Sequence, residues 1–543
     1  MQEYLKRREE LIAQDRALRP DNSSAKALAS DEKRVDEILR SIRTAEAQSI
    51  WDDKRPVKHI HGPQQMFPGM EFLTARETIV GTELFEIISE MPKGGLLHAH
   101  LDATVRVDVL LRLALEQPAM HVRTSELLTP STLKTILPEF RALPKAEWTS
   151  TESLTESLYS PGSWVPIKNA RNNFSLQLGG PMGFDRWVID ALMINPSEAY
   201  GTHNTTAKIW EKFQSTFIVS DGLIRFVPVW TQYVREFLLS SIEDGISYVE
   251  PRIMFWFRYM VGEDGEENVP HRVWFQIYER ILNDIKDEMK AQGREDEFLG
   301  SKIIYSTMRS VTCEELEWHL EDCLVLKQEF PHLVAGFDLV GHEDSLKPLI
   351  EYAEPLLRFL ERQKELGVHI PFIFHAGETI SDGGPADMNL YDAILLGTKR
   401  IGHGFSMAKH PKLMEMCREK GICLEICPIS NEVLRLTGSM PMHPLPAILN
   451  HGVHVALCSD DPAVFGNMGL SYDFYQASAN SPREVNSLAT LREFVWDSIR
   501  FSSLDDEEKR VAFAALERRW TAFLRHVLGG YGESARSHST ASQ

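Results

Sequence analysis

The chain has 543 residues, of which 43% are hydrophobic, 25% charged and 9% aromatic, and its formal net charge is −20. That length holds one large barrel domain with substantial additions. Such acidity excludes nucleic acid or an anionic membrane as the main partner, since phosphate backbones and headgroups need a basic face, but it leaves room for a local basic pocket.

The N-terminus, MQEYLKRREELIAQDRALRPD, reads as a charged helix without the apolar stretch of a secretory signal. No later run of about 18 uncharged apolar residues marks a membrane span. Six cysteines (Cys313, Cys323, Cys417, Cys423, Cys427, Cys458) are scattered along the chain, a usage that suits buried free thiols, and a cytoplasmic location is expected from it. Residues 1–90 read as a helical extension, broken at Pro20 and between Pro56 and Gly69, that packs on the main domain or forms the contact of a homodimer.

From Met91 onward short apolar runs alternate with helical patterns, the signature of repeated βα units. Strands are expected at 95–101, 246–253, 302–308, 334–340, 369–376, 400–404, 422–428 and 453–460. Eight is the number that closes a parallel barrel, so the fold class is α/β, a (β/α)₈ barrel over residues 91–530. An open doubly wound sheet is the alternative, without a glycine-rich phosphate loop to support it. The first two strands are separated by a long insertion at about 118–245 that includes Trp164, Phe174, Phe184 and Trp187. It leaves the end of the first strand, where barrels keep their active sites, and is either a lid or a structural buttress. Residues 531–543 read as a disordered tail.

Metal-competent residues end several of these strands. His98 and His100 are two apart and face one side of the first strand. His375 and Glu378 end the fifth, His403 sits between glycines on the sixth, and Asp460 and Asp461 end the eighth. Each has a bland explanation alone, but all fall at the mouth of one barrel. Three histidines and a carboxylate (His98, His100, His375, Asp460) suit one zinc with an open position, which generates a hydroxide nucleophile at neutral pH. His403 is then left to steady that hydroxide, Glu378 to carry a proton and Asp461 to bond the substrate ring. Glu425 could support the metal shell. The fourth strand, FDLVG, ends without the lysine of a dinuclear site, and Cys423 and Cys427 lack the PCxxC spacing of a cysteine-held catalytic zinc.

At these residues the chain resembles the adenosine deaminase family of the amidohydrolase superfamily. MPKGGLLHAHLD, FDLVGHED, FHAGET, RIGHGFSMAKHP, LEICPISNEVL and HGVHVALCSDDPAVFG are similar to its motifs, in the family's order. The wording is nearest to the adenosine deaminase-related growth factor branch. The resemblance implies hydrolytic deamination of adenosine and 2′-deoxyadenosine in purine metabolism, with zinc on His98, His100, His375 and Asp460. It implies that Glu378 protonates purine N1, His403 orients the attacking water, Asp461 bonds N7, the Gly341 N–H serves N3 and Asp102 meets the ribose. That branch has an acidic residue directly after the second histidine, where this chain has Leu101. Its secreted members carry a leader and disulfides, neither of which is found here, so growth-factor-like binding without catalysis is the weaker expectation. Deamination of an adenine nucleotide or modified adenosine is the stronger alternative.

Overall fold

Short strands, buried on both faces, carry the middle of the chain in a computed structural model that describes residues 1–51, 57–59, 62–64, 66–479 and 487–531. Strand β1 is Gly94–Leu96; β2 is Ile246–Val249, continued by Arg252–Met254; β3 is Ile303–Met308, preceded by Gly300–Ser301; β4 is Val334–Val340. Then follow β5 (Ile373–Ala376), β6 (Arg400–His403), β7 (Cys423–Ile426) and β8 (Val455–Leu457). Every expected strand overlaps one of these, but regular pairing stops short of the apolar runs. In β1 it ends at Leu96, and His98 and His100 lie beyond it. The expected strand at 422–428 turns into helix Pro428–Val433 at its last residue.

Neighbours in this order pair in parallel from β1 to β4 and again from β5 to β8. An isolated parallel bridge, Phe337↔Phe372, joins β4 to the segment entering β5, and another, Ala99↔Asp460, joins the residues leaving β1 and β8. At that second seam the His100 N–H donates to the Asp460 carbonyl at 3.0 Å, and the Asp460 N–H to the His98 carbonyl at 3.2 Å. Parallel strands need crossovers, which here are mostly helical, and the architecture is α/β. Strands so enclosed read as continuous apolar runs: all seven residues of β4, VAGFDLV, are buried.

Near the N-terminus, helix α1 (Gln2–Asp15) buries no residue, and its Tyr4, Leu5 and Leu11 are exposed. Helix α2 (Ser30–Ser49) instead buries Val35, Ile38, Leu39 and Ile42, a helical stripe. It packs on the last described helix, where the Trp520 indole N–H donates to Glu32 at 3.1 Å. Between β1 and β2 lies a three-stranded antiparallel sheet, Glu139–Ala142, Met120–Arg123 and Val165–Pro166, followed by helices that include α3 (Thr206–Ile224). Helix α3 sits so close to that sheet that a Cβ on Gly222 would stand 1.9 Å from the Phe140 carbonyl oxygen. Residues 532–543 and part of the Pro56–Gly69 break lie outside the described residues. All six cysteines are free, and all but Cys313 are buried. No helix among the described residues is long and apolar enough to cross a membrane.

Candidate active site

Hydrogen bonds fix the imidazoles before any ligand arrives. His98 Nδ1 lies 2.8 Å from Glu425 Oε2, and His375 Nδ1 lies 2.6 Å from Asp338 Oδ2. A carboxylate accepts, so both rings carry their proton on Nδ1 and turn an Nε2 lone pair inward. The inward atoms converge: His100 Nε2 is 3.3 Å from His375 Nε2 and 3.4 Å from Asp460 Oδ1, and His98 Nε2 is 3.2 Å from the same oxygen. Nitrogens of His98, His375 and His403 and an Asp460 oxygen all lie within 4.8 Å of one another, and His100, Asp460 and Asp461 form an overlapping group. Buried His98 Nε2 finds no hydrogen-bond partner among the described residues. A cation answers all of this at once, and the histidine–aspartate cluster can hold a metal.

The local backbone is shaped for the purpose. His403 and Asp460 have φ of 60° and 61°, strained values for residues with side chains, of a kind that concentrates at functional sites. Gly402 lies against His98, where a Cβ would come within 2.8 Å of the ring. Below the ring of ligands, Arg252 donates to Asp338 at 2.7 Å and to Glu425 at 2.8 Å. Arg400 bonds Glu425 at 2.5 Å and Glu250 at 2.6 Å. Burial alone would raise the Glu425 carboxyl, but Arg252 and Arg400 hold it well below the usual range. Glu425 is thus ionised and a strong acceptor for His98.

The remaining acids behave differently. Burial, reinforced by Asp460 and Glu343, raises Glu378 well above the usual range, and its Oε1 makes no hydrogen bond. Burial and Asp460 do the same to Asp461, both of whose carboxyl oxygens are unpartnered. Asp460 is held well below its usual value, because His403, His100 and His98 outweigh burial. Glu343 accepts the Gly377 and Glu378 N–H groups at 3.2 and 2.9 Å and fixes the loop that carries Glu378. His403 Nδ1 is 3.4 Å from the Asn431 amide nitrogen and 3.5 Å from Glu378 Oε1. Asn431 Oδ1 lies 3.0 Å from His443 Nε2.

These groups open into a cavity of about 400 Å³. Its lining includes His100, Asp102, Gly341, His375, Glu378, His403, Asp460 and Asp461; of the residues singled out in the sequence, the more deeply buried His98 and Glu425 do not reach it. One face of α3 covers the space: Trp210, Phe213, Gln214, Phe217, Ile218 and Asp221, at helical spacing. Trp210 stacks on His342, ring centroids 4.2 Å apart. No lysine or arginine lines the cavity among the described residues. Sequence reasoning missed Asp338, Arg252, Arg400, Asn431 and His443. The signal available was a polar residue inside an apolar strand, as in FDLV.

The chain matches the adenosine deaminase family profile over residues 194–517, and it belongs to that family. It is a hydrolytic deaminase. Among its relatives are adenosine deaminase 2-A of Danio rerio, 33% identical over 89% of this chain and 90% of that one, and human adenosine deaminase 2, 32% identical over 85% and 84%. An Arabidopsis N6-mAMP deaminase matches in fold, with a TM-score of 0.52 at 16% identity over 80% of this chain and 99% of the other. So does an amidohydrolase from Burkholderia ambifaria with bound Zn, TM-score 0.50 at 16% identity over 85% and 98%. The kinship overturns the cytoplasmic location expected from the thiols and the N-terminus: these relatives are adenosine deaminase 2 proteins, the branch with secreted members. Free buried thiols report burial here and do not decide compartment.

Proposed function

We propose that the chain hydrolyses adenosine and 2′-deoxyadenosine to inosine or deoxyinosine and ammonia, at one zinc held by His98, His100, His375 and Asp460. The observation that carries this is the match between donors and acceptors. N1, N3 and N7 of adenine are all acceptors, and the cavity is lined by Glu378 and Asp461, whose carboxyls burial and neighbouring charge raise well above the usual range and so toward the donating form, and by Gly341, whose backbone N–H would be the third donor. Zinc, when bound, lowers the pKa of a water and so supplies the nucleophile at neutral pH. Glu378 gives its proton to N1 as C6 is attacked, recovers one from the attacking water and passes it to the departing amine. His403 orients that water, and Asp461 and Gly341 hold the ring in register.

The sugar end lies toward α3, where Asp102 and Asp221 line the cavity and no cation waits for a phosphate. A phosphate would lose hydration there without gaining a cationic partner, which favours a nucleoside over its nucleotide. We read residues 118–245, through α3, as the cover of the site. The eight strands form one closed barrel in this reading, supported by the bridges at both seams. Exposed apolar residues on α1 support a homodimer through the N-terminal extension.

A side-by-side assay of adenosine, deoxyadenosine, AMP, ATP and adenine, with metal analysis of the same preparation, tests the proposal. Adenosine should exceed AMP at least tenfold in kcat/KM, a difference of about 1.4 kcal/mol. A nucleotide as the better substrate, or active protein without a transition metal, sinks it.

A further inference from the structure

Five groups crowd one point in the cavity, and only some of them can be metal ligands. Which nitrogen of His403 carries its proton decides its part, because an Nε2–H can hold a water but cannot bind a metal. A chain of hydrogen bonds beginning at a backbone amide settles this. The Leu445 N–H donates to His443 Nδ1 at 3.1 Å, and a backbone N–H can only donate. His443 Nδ1 is therefore the bare nitrogen and Nε2 carries the proton. That Nε2–H points at Asn431 Oδ1, 3.0 Å away, so the amide must present its NH₂ on the other side. There it meets His403 Nδ1 at 3.4 Å.

We infer that Asn431 and His443 are positioning residues that fix the His403 tautomer, with Nδ1 accepting and Nε2–H directed at the cavity. This rests on the deaminase reading for its purpose, but the tautomer itself follows from the hydrogen bonds alone. His403 is thereby a water-holding donor, and the ligand set is left to His98, His100, His375 and Asp460. Burial drives His443 down to about 3, so its ring is neutral and holds a single proton. All four participants are buried, so water does not compete for these bonds.

The test exchanges hydrogen-bond polarity at nearly constant shape. His443→Gln places an amide NH₂ where Nε2–H was and keeps the chain running in its direction. His443→Glu places an acceptor there, which turns the Asn431 amide over and moves the His403 proton to Nδ1. In the zinc-loaded enzyme we expect His443→Gln to retain most of its turnover. His443→Glu should lose on the order of 10²-fold or more in kcat with KM little changed, as expected for a wrongly set imidazole tautomer. A purely structural role would impair both variants alike, and that result overturns the inference. Independently of activity, ¹⁵N spectra of metal-free protein labelled at histidine report the tautomer directly, the His403 signals being assigned by their loss in His403→Asn. Wild type should show a bare His403 Nδ1 and a protonated Nε2; the reverse pattern overturns the inference whatever the kinetics show. A wild-type enzyme inactive on every adenine nucleoside would instead sink the deaminase reading and leave the spectra to decide the tautomer.

Discussion

Glu378 and Asp338 show how differently two carboxyl groups in one site are used. Burial and Asp460 raise Glu378 well above the usual carboxyl range, which suits it to the proton-carrying part proposed for it. Glu378→Gln should retain the fold and most of the zinc yet lose at least about 10²-fold in kcat, the scale of a general acid–base group, in steady-state assays at matched metal content. Asp338 does not line the cavity; it accepts both the ring Nδ1–H and the backbone N–H of His375, at 2.6 and 2.9 Å. Asp338→Asn should weaken zinc binding about 10- to 100-fold, read by chelator competition, because the oriented acceptor behind a ligand sets its basicity. The histidines and acids that gather at the cavity were legible in the sequence because they end apolar runs. Asp338, Arg252 and Arg400 were not, because an isolated polar residue in a strand does not say which partner satisfies it. Glu425 lay between, visible as an inward-facing acid, but its bond to His98 depends on the register of strands 327 residues apart.

Among the elements, α3 contributes one continuous face to the cavity, and substrate selection by that face is open to test. Its cavity face is apolar but for Gln214 and Asp221, and Asp221 stands in the last turn, where the helix dipole disfavours a negative charge. Burial, opposed by Arg225 and reinforced by Asp102 and Glu267, pushes this carboxyl up to about 7. Asp221→Asn should narrow the preference for adenosine over AMP, measured as the ratio of kcat/KM values; an unchanged ratio removes α3 from substrate selection. The other face is held by close contact. Gly222→Ala should destabilise the protein by at least about 2 kcal/mol, since the new methyl meets the Phe140 carbonyl, and thermal unfolding will register it. The insertion could be placed by sequence at the mouth of the site, yet whether it was lid or buttress depended on which face of α3 turned inward. Both faces carry apolar residues, the opposite one Ile209, Val219 and Leu223, so periodicity alone could not choose.

Across the whole molecule, buried Glu432 ties together three distant segments: its Oε2 accepts the Phe72 N–H and the Tyr200 hydroxyl, each at 3.0 Å, from within the helix Pro428–Val433. Burial raises its carboxyl from 4.5 to about 8, against the bonds from Phe72 and Tyr200. The folded chain therefore keeps a proton that the unfolded chain releases between these values. Stability from this group is full below about pH 4.5 and is lost as pH rises through 8. Glu432→Gln, which stays neutral, should match wild type near pH 5 and melt at a higher temperature than wild type near pH 9; parallel melting curves at the two pH values would exclude the effect.

The seam between β1 and β8 has a kinetic consequence. The backbone bonds that join His98 and His100 to Asp460 connect positions some 360 residues apart, and the groups that would hold the metal stand on both sides of that join. A contact of such sequence separation carries a large loop-closure entropy, which favours its forming after local helices and neighbouring strand pairs have removed most of the chain's freedom. The site is thus expected to be completed late in folding, which a refolding time course of secondary structure and turnover would check. A refolding population can regain its secondary structure and bury its tryptophans while the site is still in two halves, and the return of turnover marks the moment when the two ends of the domain meet.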